Sequence, residues 1–319
     1  MWKTVLRRVL IMIPEIVILS ILVFLLAKAM PGDPFTGSIG PHTSAAQIHQ
    51  LKVQAGLYNP WYQQYWNWVV HLFHGNLGTS FQYQEPVTSI IGERAVNTVW
   101  LALFTMVLTY AIAIPMGLYA GRHQNQLGDN IIRVYTFVTM AIPPFVILLI
   151  SLWIFGYVLG WFPTTGSVSA TASGTMGTIV SRLQHILLPG IVASLTGTVN
   201  IVQYLRSEVI DAKQSDYVRT ARSKGVPTTD VFRHHILRNS LLPIAAFAGY
   251  SITGLLGGSV ITEMIFSYPG MGLLFLNSIS YRDYTVITAL VLLYGLLNLL
   301  GTLLSDIILS VVDPRVRVQ

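Results

Sequence analysis

The sequence contains no cysteine and little charge. The missing cysteine excludes disulfide bonds, thiolate metal sites and cysteine nucleophiles. Charged residues make up 10% of the 319 positions, whereas hydrophobic residues make up 53%. A soluble domain carries about 25% charged residues. A chain with so few charged side chains cannot cover its surface in water. We therefore predict that much of the chain lies in lipid.

The sequence also lacks the short motifs of several enzyme classes. It contains no Gly-x-x-x-x-Gly-Lys-Ser/Thr phosphate loop, no His-Glu-x-x-His and no Gly-x-Ser-x-Gly. Without the phosphate loop, the chain is not expected to hydrolyse ATP. Without the other two motifs, a zinc or serine enzyme inside the membrane is disfavoured. We therefore predict no catalytic residue, no metal ligand and no bound cofactor.

Six stretches are apolar enough to cross a membrane, which takes about 20 residues for a hydrocarbon layer of ~30 Å. They are residues 9–30, 96–121, 134–160, 186–205, 241–266 and 286–312. The third contains Pro143 and Pro144, where a kink is expected. The fourth is the most diluted by polar side chains. The predicted fold is an all-α membrane protein with six spans.

Lysine and arginine predict the orientation of these spans. If the N-terminus is cytosolic, the inner segments hold 14 of the 19 lysine and arginine residues. An even number of spans then returns the C-terminus to the cytosol. This asymmetry accounts for the net charge of +6 without a nucleic-acid partner. The first apolar run is too long for an ordinary signal peptide and lacks a cleavage site, so an uncleaved anchor is expected.

The predicted spans divide the chain into four parts. Residues 1–30 form a tail and the first span, 31–94 an extracellular segment, 95–312 a transmembrane domain, and 313–319 a cytosolic tail. In the outer segment, Ser44 and Gln47 form a capping box for one helix. Asn59 as N-cap and Pro60 as first residue begin a second, aromatic helix that stops at Gly75. That helix lies at the membrane interface or in the core of a small extracellular cap.

The transmembrane domain contains a long basic loop at about 206–240, which is predicted to form two short helices. Asp216 is expected to cap the first helix, and Gly225 to end it in a left-handed conformation. Thr228 or Thr229 is expected to cap the second. A short amphipathic helix between two spans is typical of a docking element for a soluble partner. A loop that lies on anionic lipid is the alternative.

The stretch from Asp216 to Gly225 resembles the coupling loop of binding-protein-dependent ABC importer permeases. That loop carries a Glu-Ala-Ala-x-x-x-Gly pattern. Ala221 and Gly225 match it, whereas Arg219 and Thr220 replace the glutamate and the first alanine, as is usual in the peptide-transporting branch. The resemblance implies that this helix fits a cleft on an ATPase subunit. The implied coupling residues are Asp216, Tyr217, Arg219, Thr220, Ala221, Arg222 and Gly225.

Further stretches along nearly the whole chain resemble the B-type dipeptide and oligopeptide permeases of that family. They are residues 7–10, 24–34, 75–80, 94–101, 263–272, 282–284 and 313–315. The resemblance implies a six-span type I ABC importer permease that forms half of a pore for peptides. Nickel chelates and glutathione are alternative cargoes within the family. An ion-coupled secondary transporter is the alternative from a different class.

The resemblance also implies a set of partners in a bacterial cytoplasmic membrane. They are a second, homologous permease, two ATPase subunits that use ATP with magnesium, an extracellular or periplasmic peptide-binding protein, and membrane lipid.

Four polar residues are candidates for the translocation path or its gate: Glu263, Asn97, Asn200 and Gln203. An ionisable side chain in or near a span is costly to bury, which indicates a function for Glu263. A gating or structural-pairing role is favoured over direct contact with a peptide amine. The three amides either line a polar path or join helices by hydrogen bonds.

Overall fold

The computed structural model describes residues 2–29, 49, 53, 58–241, 244, 251, 255, 257 and 259–312. Within these residues the chain is mostly helical and contains no strand, only an isolated bridge between Thr79 and Pro86. The all-α prediction is confirmed for this part of the chain. The predicted capping box of Ser44 and Gln47 and the tail at 313–319 lie outside it.

The helices follow one another with short connections. The first group is α1 (Trp2–Ala29), α2 (Trp61–Phe73), α3 (Val87–Arg122), α4 (Leu127–Ala141) and α5 (Pro144–Ser151), which continues as a π-helical segment, Leu152–Val158. The second is α6 (Gly174–Gln214), α7 (Asp216–Ser223) and α8, which runs from Thr228–Asp230 through a π-helical segment, Val231–Ile236, to Leu237–Ser240. The third is α9 (Val260–Ile265), α10 (Met271–Tyr281) and α11 (Tyr284–Val312).

In the described part of the chain, four helices are long and apolar enough to cross a membrane: Leu6–Ala29, Val87–Arg122, Gly174–Gln214 and Tyr284–Ile308. The bent pair of α4 and α5 with its π-helical continuation makes a fifth if it counts as one span. These correspond to five of the six predicted spans. The remaining one, at 241–266, falls largely outside the described residues, so the six-span arrangement stays a prediction.

The third predicted span is broken rather than kinked. The axes of α4 and the helix that starts at Pro144 differ by 96°. Ile142 and Pro143 have extended backbones between them, which is the conformation that a following proline favours. Two consecutive prolines therefore end one helix and start the next, because neither proline can donate a backbone hydrogen bond.

Helix α6 is the centre of the bundle and packs along α3. Its most apolar stretch is 56% buried, against 11% to 28% for the other three long helices. Close approach is possible because Gly117 and Gly121 of α3 lie against Leu205 and Val209 of α6. The polar composition of the fourth predicted span fits this position, because several of its polar side chains, such as Ser194 and Thr198, are buried against protein.

Among the described residues, three apolar clusters follow one another along the bundle. The first joins the starts of α3 and α11 to α10 and contains Val87, Met271 and Val286. The second lies in the middle of α3 and α6. The third joins the end of α6 to α7 and α8 and contains Val209 and Val218. The end of the bundle with the third cluster is called the α7 end below, and the end with the first cluster the opposite end.

Helix α2 starts at Trp61, one residue later than predicted. Pro60, not Asn59, occupies the cap position, and no side chain caps the helix. One side of α2 contacts α1, where the Tyr65 hydroxyl lies 2.8 Å from that of Ser20. None of its residues is buried, and Phe73 is 88% exposed. This exposure fits an interfacial helix, which is one of the two predicted positions of α2.

Candidate coupling surface and polar turn

Helix α6 ends in a tight turn that starts α7. Ser215 has an extended backbone at the cap position, and its hydroxyl donates to the carbonyl of Ala212 at 2.6 Å. Asp216 is therefore the first helical residue, and its predicted role as N-cap is wrong. Its carboxylate is 98% exposed and lies 3.6 Å from the Arg219 guanidinium. A negative charge in the first turn still favours the helix dipole.

One face of α7 is fixed to the bundle. Val218 is fully buried and Ala221 nearly so, in the cluster with Leu205, Val209 and Val231. Tyr217, which precedes Val218, is 42% exposed. Helix α7 therefore cannot move far without carrying the end of α6.

The other face of α7 is polar and exposed. The Arg219 side chain is 74% exposed, and Thr220 and Arg222 are exposed as well. The α7 end therefore presents a short helix with a fixed position and exposed polar side chains, which suits recognition of a partner.

Gly225 ends α7 as predicted. Its φ is +78°, a left-handed conformation in which a side chain is strained. The amide of Val226 donates to the carbonyl of Ala221 at 3.2 Å, so the last turn is closed by the backbone. The second helix starts differently from the prediction. Pro227 occupies the cap position, and neither Thr228 nor Thr229 caps it with a side chain.

The predicted loop starts later than expected, because α6 continues to Gln214. Arg206 thus lies inside α6, where its guanidinium donates two hydrogen bonds to Asp129 of α4, at 2.6 and 2.8 Å. The Asp129 side chain is fully buried. The sequence does not predict this pair, because its two residues are 77 positions apart and neither lies in a pattern that marks it as a contact.

At the opposite end, Glu263 is fully buried and organises a turn. Its carboxylate accepts hydrogen bonds from the Thr98 hydroxyl at 3.1 Å and the Leu273 amide at 2.8 Å. The Thr98 hydroxyl in turn accepts from the Met271 amide at 2.7 Å. Gly270 is needed beside them, because a Cβ there would overlap the Glu263 carboxylate. Glu263 thus ties α9 and the start of α10 to α3.

Asn97 belongs to the same turn. Its amide nitrogen donates to the carbonyl of Pro269 at 2.9 Å, and its amide oxygen accepts from Arg182 at 2.8 Å. The hydroxyl of buried Tyr268 donates to the Asn97 carbonyl. Arg182 is a further partner that the sequence did not identify. The structure therefore brings Glu263 and Asn97 together in a network that joins helices.

The other two path candidates lie elsewhere. Asn200 is exposed on α6, and the Gln203 amide nitrogen lies 3.1 Å from the Met140 sulfur. A cavity of about 380 Å³ opens between α3, α6 and α9. Glu263 lines it, together with Thr98, Thr105 and Thr109 of α3. Of the four candidates, Glu263 is the one that borders this cavity.

Two of the stretches that resemble B-type permeases, residues 75–80 and 282–284, also meet at the opposite end of the bundle. The Ser80 hydroxyl donates to the buried Asp283 carboxylate, and the Gln82 amide donates to it at 3.2 Å. Gly78 has φ +87° and lies directly against Thr285. The loop after α2 is therefore bound to the junction of α10 and α11.

Comparison with known proteins decides the family. The model of the binding-protein-dependent transport system inner membrane component matches residues 113–318, and the model of its N-terminal region matches residues 1–102. The chain belongs to this family of binding-protein-dependent transport permeases. It is 37% identical to the oligopeptide transport system permease protein AppB of Bacillus subtilis, over 314 residues and 98% of both chains.

Other permeases of this kind match at similar length. The glutathione transport system permease protein GsiC of Salmonella choleraesuis is 33% identical over 317 residues, 99% of both chains. GsiC of Escherichia coli K12 is 32% identical over the same length. The matched regions include α7 and the Glu263 turn, so both features lie within the permease homology.

Proposed function

We propose that this chain is one half of the membrane pore of an ATP-driven peptide importer. The observation that carries the proposal is α7, a helix with a buried apolar face and an exposed polar face at the end of the central helix α6. Membership in the permease family supplies the transport function. The similarity to an oligopeptide permease supports peptides as the cargo.

The proposed assembly has the partners that the resemblance implies. A second permease completes the pore, two ATPase subunits bind ATP with magnesium, and a peptide-binding protein delivers cargo at the opposite end. The α7 end faces the cytosol of a bacterial cell. Arg8 near the start of α1 lies 2.9 Å from Asp306 near the end of α11, which supports both termini on one side.

Helix α7 would act as a lever in this assembly. Its exposed residues, Tyr217, Arg219, Thr220 and Arg222, would enter a cleft of the ATPase subunit. ATP binding closes the two ATPase subunits, and the closure displaces α7. Because Val218 and Ala221 fix α7 to α6, the displacement reaches the bundle and favours one of two pore states.

The Glu263 turn would contribute at the other end of the path. A fully buried carboxylate with several hydrogen bonds is poorly placed to bind a passing peptide amine. It holds the connection between α9 and α10 against α3, beside the cavity that Thr105 and Thr109 line. We therefore assign Glu263 a structural role in the wall of the path.

A crosslinking experiment tests the position of α7. The chain has no cysteine, so a single introduced thiol is the only one in it. Ser223→Cys, on exposed α7, is expected to crosslink to a cysteine-bearing ATPase subunit, with a yield that changes between nucleotide-free and ATP-bound complexes. Ser280→Cys is the matched control, because Ser280 is an exposed serine at the opposite end. Equal crosslinking at both positions, or none at Ser223→Cys, would contradict the proposal.

Glutathione is the second candidate cargo, favoured by the similarity to glutathione permeases. Uptake competition separates the two. In cells with the whole importer, a labelled pentapeptide is expected to be taken up, and unlabelled pentapeptide is expected to reduce the uptake far more than an equal concentration of glutathione. Stronger competition by glutathione would assign the tripeptide as the cargo.

A further inference from the structure

An ion pair between buried Asp129 and partly exposed Arg206 joins two helices at the α7 end. Asp129 lies in the first turn of α4, and both of its oxygens accept hydrogen bonds from Arg206 of α6. One oxygen also accepts from the Asn125 amide at 2.8 Å, which holds the turn between α3 and α4. A fork-to-fork pair of this kind fixes the relative orientation of its two helices.

The same end of α6 is tied to α3. The Lys213 ammonium lies 3.1 Å from the carbonyl oxygens of both Gly121 and Arg122, where it caps the end of α3. Gly121 also allows the two helices to touch, since a Cβ there would overlap Val209. The ends of α3 and α6 and the start of α4 therefore form one block, and α7 is packed onto that block.

Further along α4, the Tyr135 hydroxyl lies 2.6 Å from the Leu195 carbonyl oxygen and 2.8 Å from the Thr198 hydroxyl of α6, but the end of α4 is not continuous with α5. The chain leaves α4 through Ile142 and Pro143 and turns by 96° into α5. A helix that is clamped at its start and broken at its end can change its direction as a unit. The break supplies the position where the backbone angles change, as hinges at the ends of elements do.

We propose that the Asp129–Arg206 pair carries the displacement of α7 into α4, which then pivots at the Pro143 break. The inference rests on the proposed function, because it takes α7 as the element that the ATPase moves. Asp129 and Arg206 are positioning residues, since they act through α4. A buried ion pair adds little net stability compared with apolar packing, so orientation is the better account of its presence.

Distances between spin labels test the transmission directly. Cysteine pairs are introduced into the complete complex reconstituted in lipid: Ile18 with Gln214 for the end of α6, and Ile18 with Val134 for α4. All three positions are exposed. In the wild-type complex, both distances are expected to shift when ATP is trapped with vanadate.

Asp129→Asn removes the charge and keeps the shape. The distance from Ile18 to Gln214 is expected to shift as before, whereas the shift from Ile18 to Val134 is expected to be clearly smaller, because the Tyr135 contacts with α6 remain. Pentapeptide uptake per ATP hydrolysed is expected to fall about tenfold, within the range of mutations that alter coupling between sites. Arg206→Lys, which keeps the charge without the fork, is expected to give an intermediate loss.

Asp306→Asn is the matched control. It breaks the ion pair with Arg8, which joins α1 to α11 away from the block that carries α7. It is expected to leave both distance shifts and the uptake per ATP unchanged. A normal shift of α4 in Asp129→Asn would overturn the inference. So would failure of both Asp129→Asn and Arg206→Lys to assemble, which would assign the pair to folding alone.

The outcome is separable from that of the proposed function. If Ser223→Cys crosslinks to the ATPase but α4 shifts normally with nucleotide in Asp129→Asn, the importer assignment stands and the transmission route is wrong. If the wild-type distance to Gln214 does not respond to nucleotide and Ser223→Cys does not crosslink, the proposed function fails first.

Discussion

Arg219→Glu is expected to abolish most peptide uptake while the permease still folds and inserts. Arg219 is 74% exposed on α7, so its replacement removes no core contact. It reverses a charge where the helix would meet the ATPase, and it places two acidic side chains together, since Asp216 lies 3.6 Å away. If the ATPase buries Arg219 in a charge pair, losing that pair costs about 2–5 kcal/mol, which corresponds to a decrease in uptake of more than tenfold.

Uptake and ATP hydrolysis by the reconstituted complex measure this effect together. Two controls accompany the variant. Arg219→Lys keeps the positive charge and should retain much of the uptake. Arg238→Glu makes the same charge change at an exposed position of α8, outside α7, and should retain most of it. Normal uptake by Arg219→Glu, or equal losses in Arg219→Glu and Arg238→Glu, would remove the special role of α7.

Glu263→Ala is expected to lower the stability of the permease strongly. The fully buried carboxylate accepts hydrogen bonds from Thr98 and Leu273, and alanine would leave both donors without it. Each buried donor without a partner costs about 1–3 kcal/mol, so a loss of about 3 kcal/mol is expected. The apparent melting temperature of the detergent-solubilised protein should fall accordingly.

Glu263→Gln is the control for this substitution. Glutamine keeps the volume and one acceptor oxygen, so it should retain more stability than alanine. Asn200→Ala, at an exposed amide of α6, should leave the melting temperature unchanged. If Glu263→Ala melts like the wild type but does not support peptide uptake, Glu263 acts in transport itself and does not mainly hold the helices together.

Features that depend on neighbouring residues could be predicted from the sequence. The stop of α7 at Gly225 follows from the conformational freedom of glycine, and the break at Pro143 and Pro144 follows from their missing amide donors. The capping predictions at Asn59 and Asp216 were each wrong by one residue. Pro60 and Ser215 occupy the cap positions without a side-chain hydrogen bond, and sequence patterns place the first helical residue only to within one or two positions.

Features that depend on distant residues could not be predicted. Asp129 meets Arg206, Ser80 meets Asp283, and Thr98 meets Glu263 only after the helices have packed. Glu263 was identified because a carboxylate near a span is conspicuous, whereas its hydrogen-bond partners gave no local signal. The polar residues of α6 make it the least apolar of the predicted spans. Such a composition is compatible with the burial of α6 among other helices.

The length of α6 determines how far α7 lies from the apolar part of that helix. With a rise of 1.5 Å per residue, 41 residues extend about 60 Å, twice the ~30 Å of the hydrocarbon layer. Nine residues of α6, 206–214, follow the predicted span at 186–205, so α7 starts about 14 Å beyond that span. Each residue inserted before Ser215 would rotate α7 by about 100° around the axis of α6 and move it by about 1.5 Å along that axis. The number of residues in α6 therefore sets both the distance of α7 from the apolar part of α6 and the direction in which its polar face points.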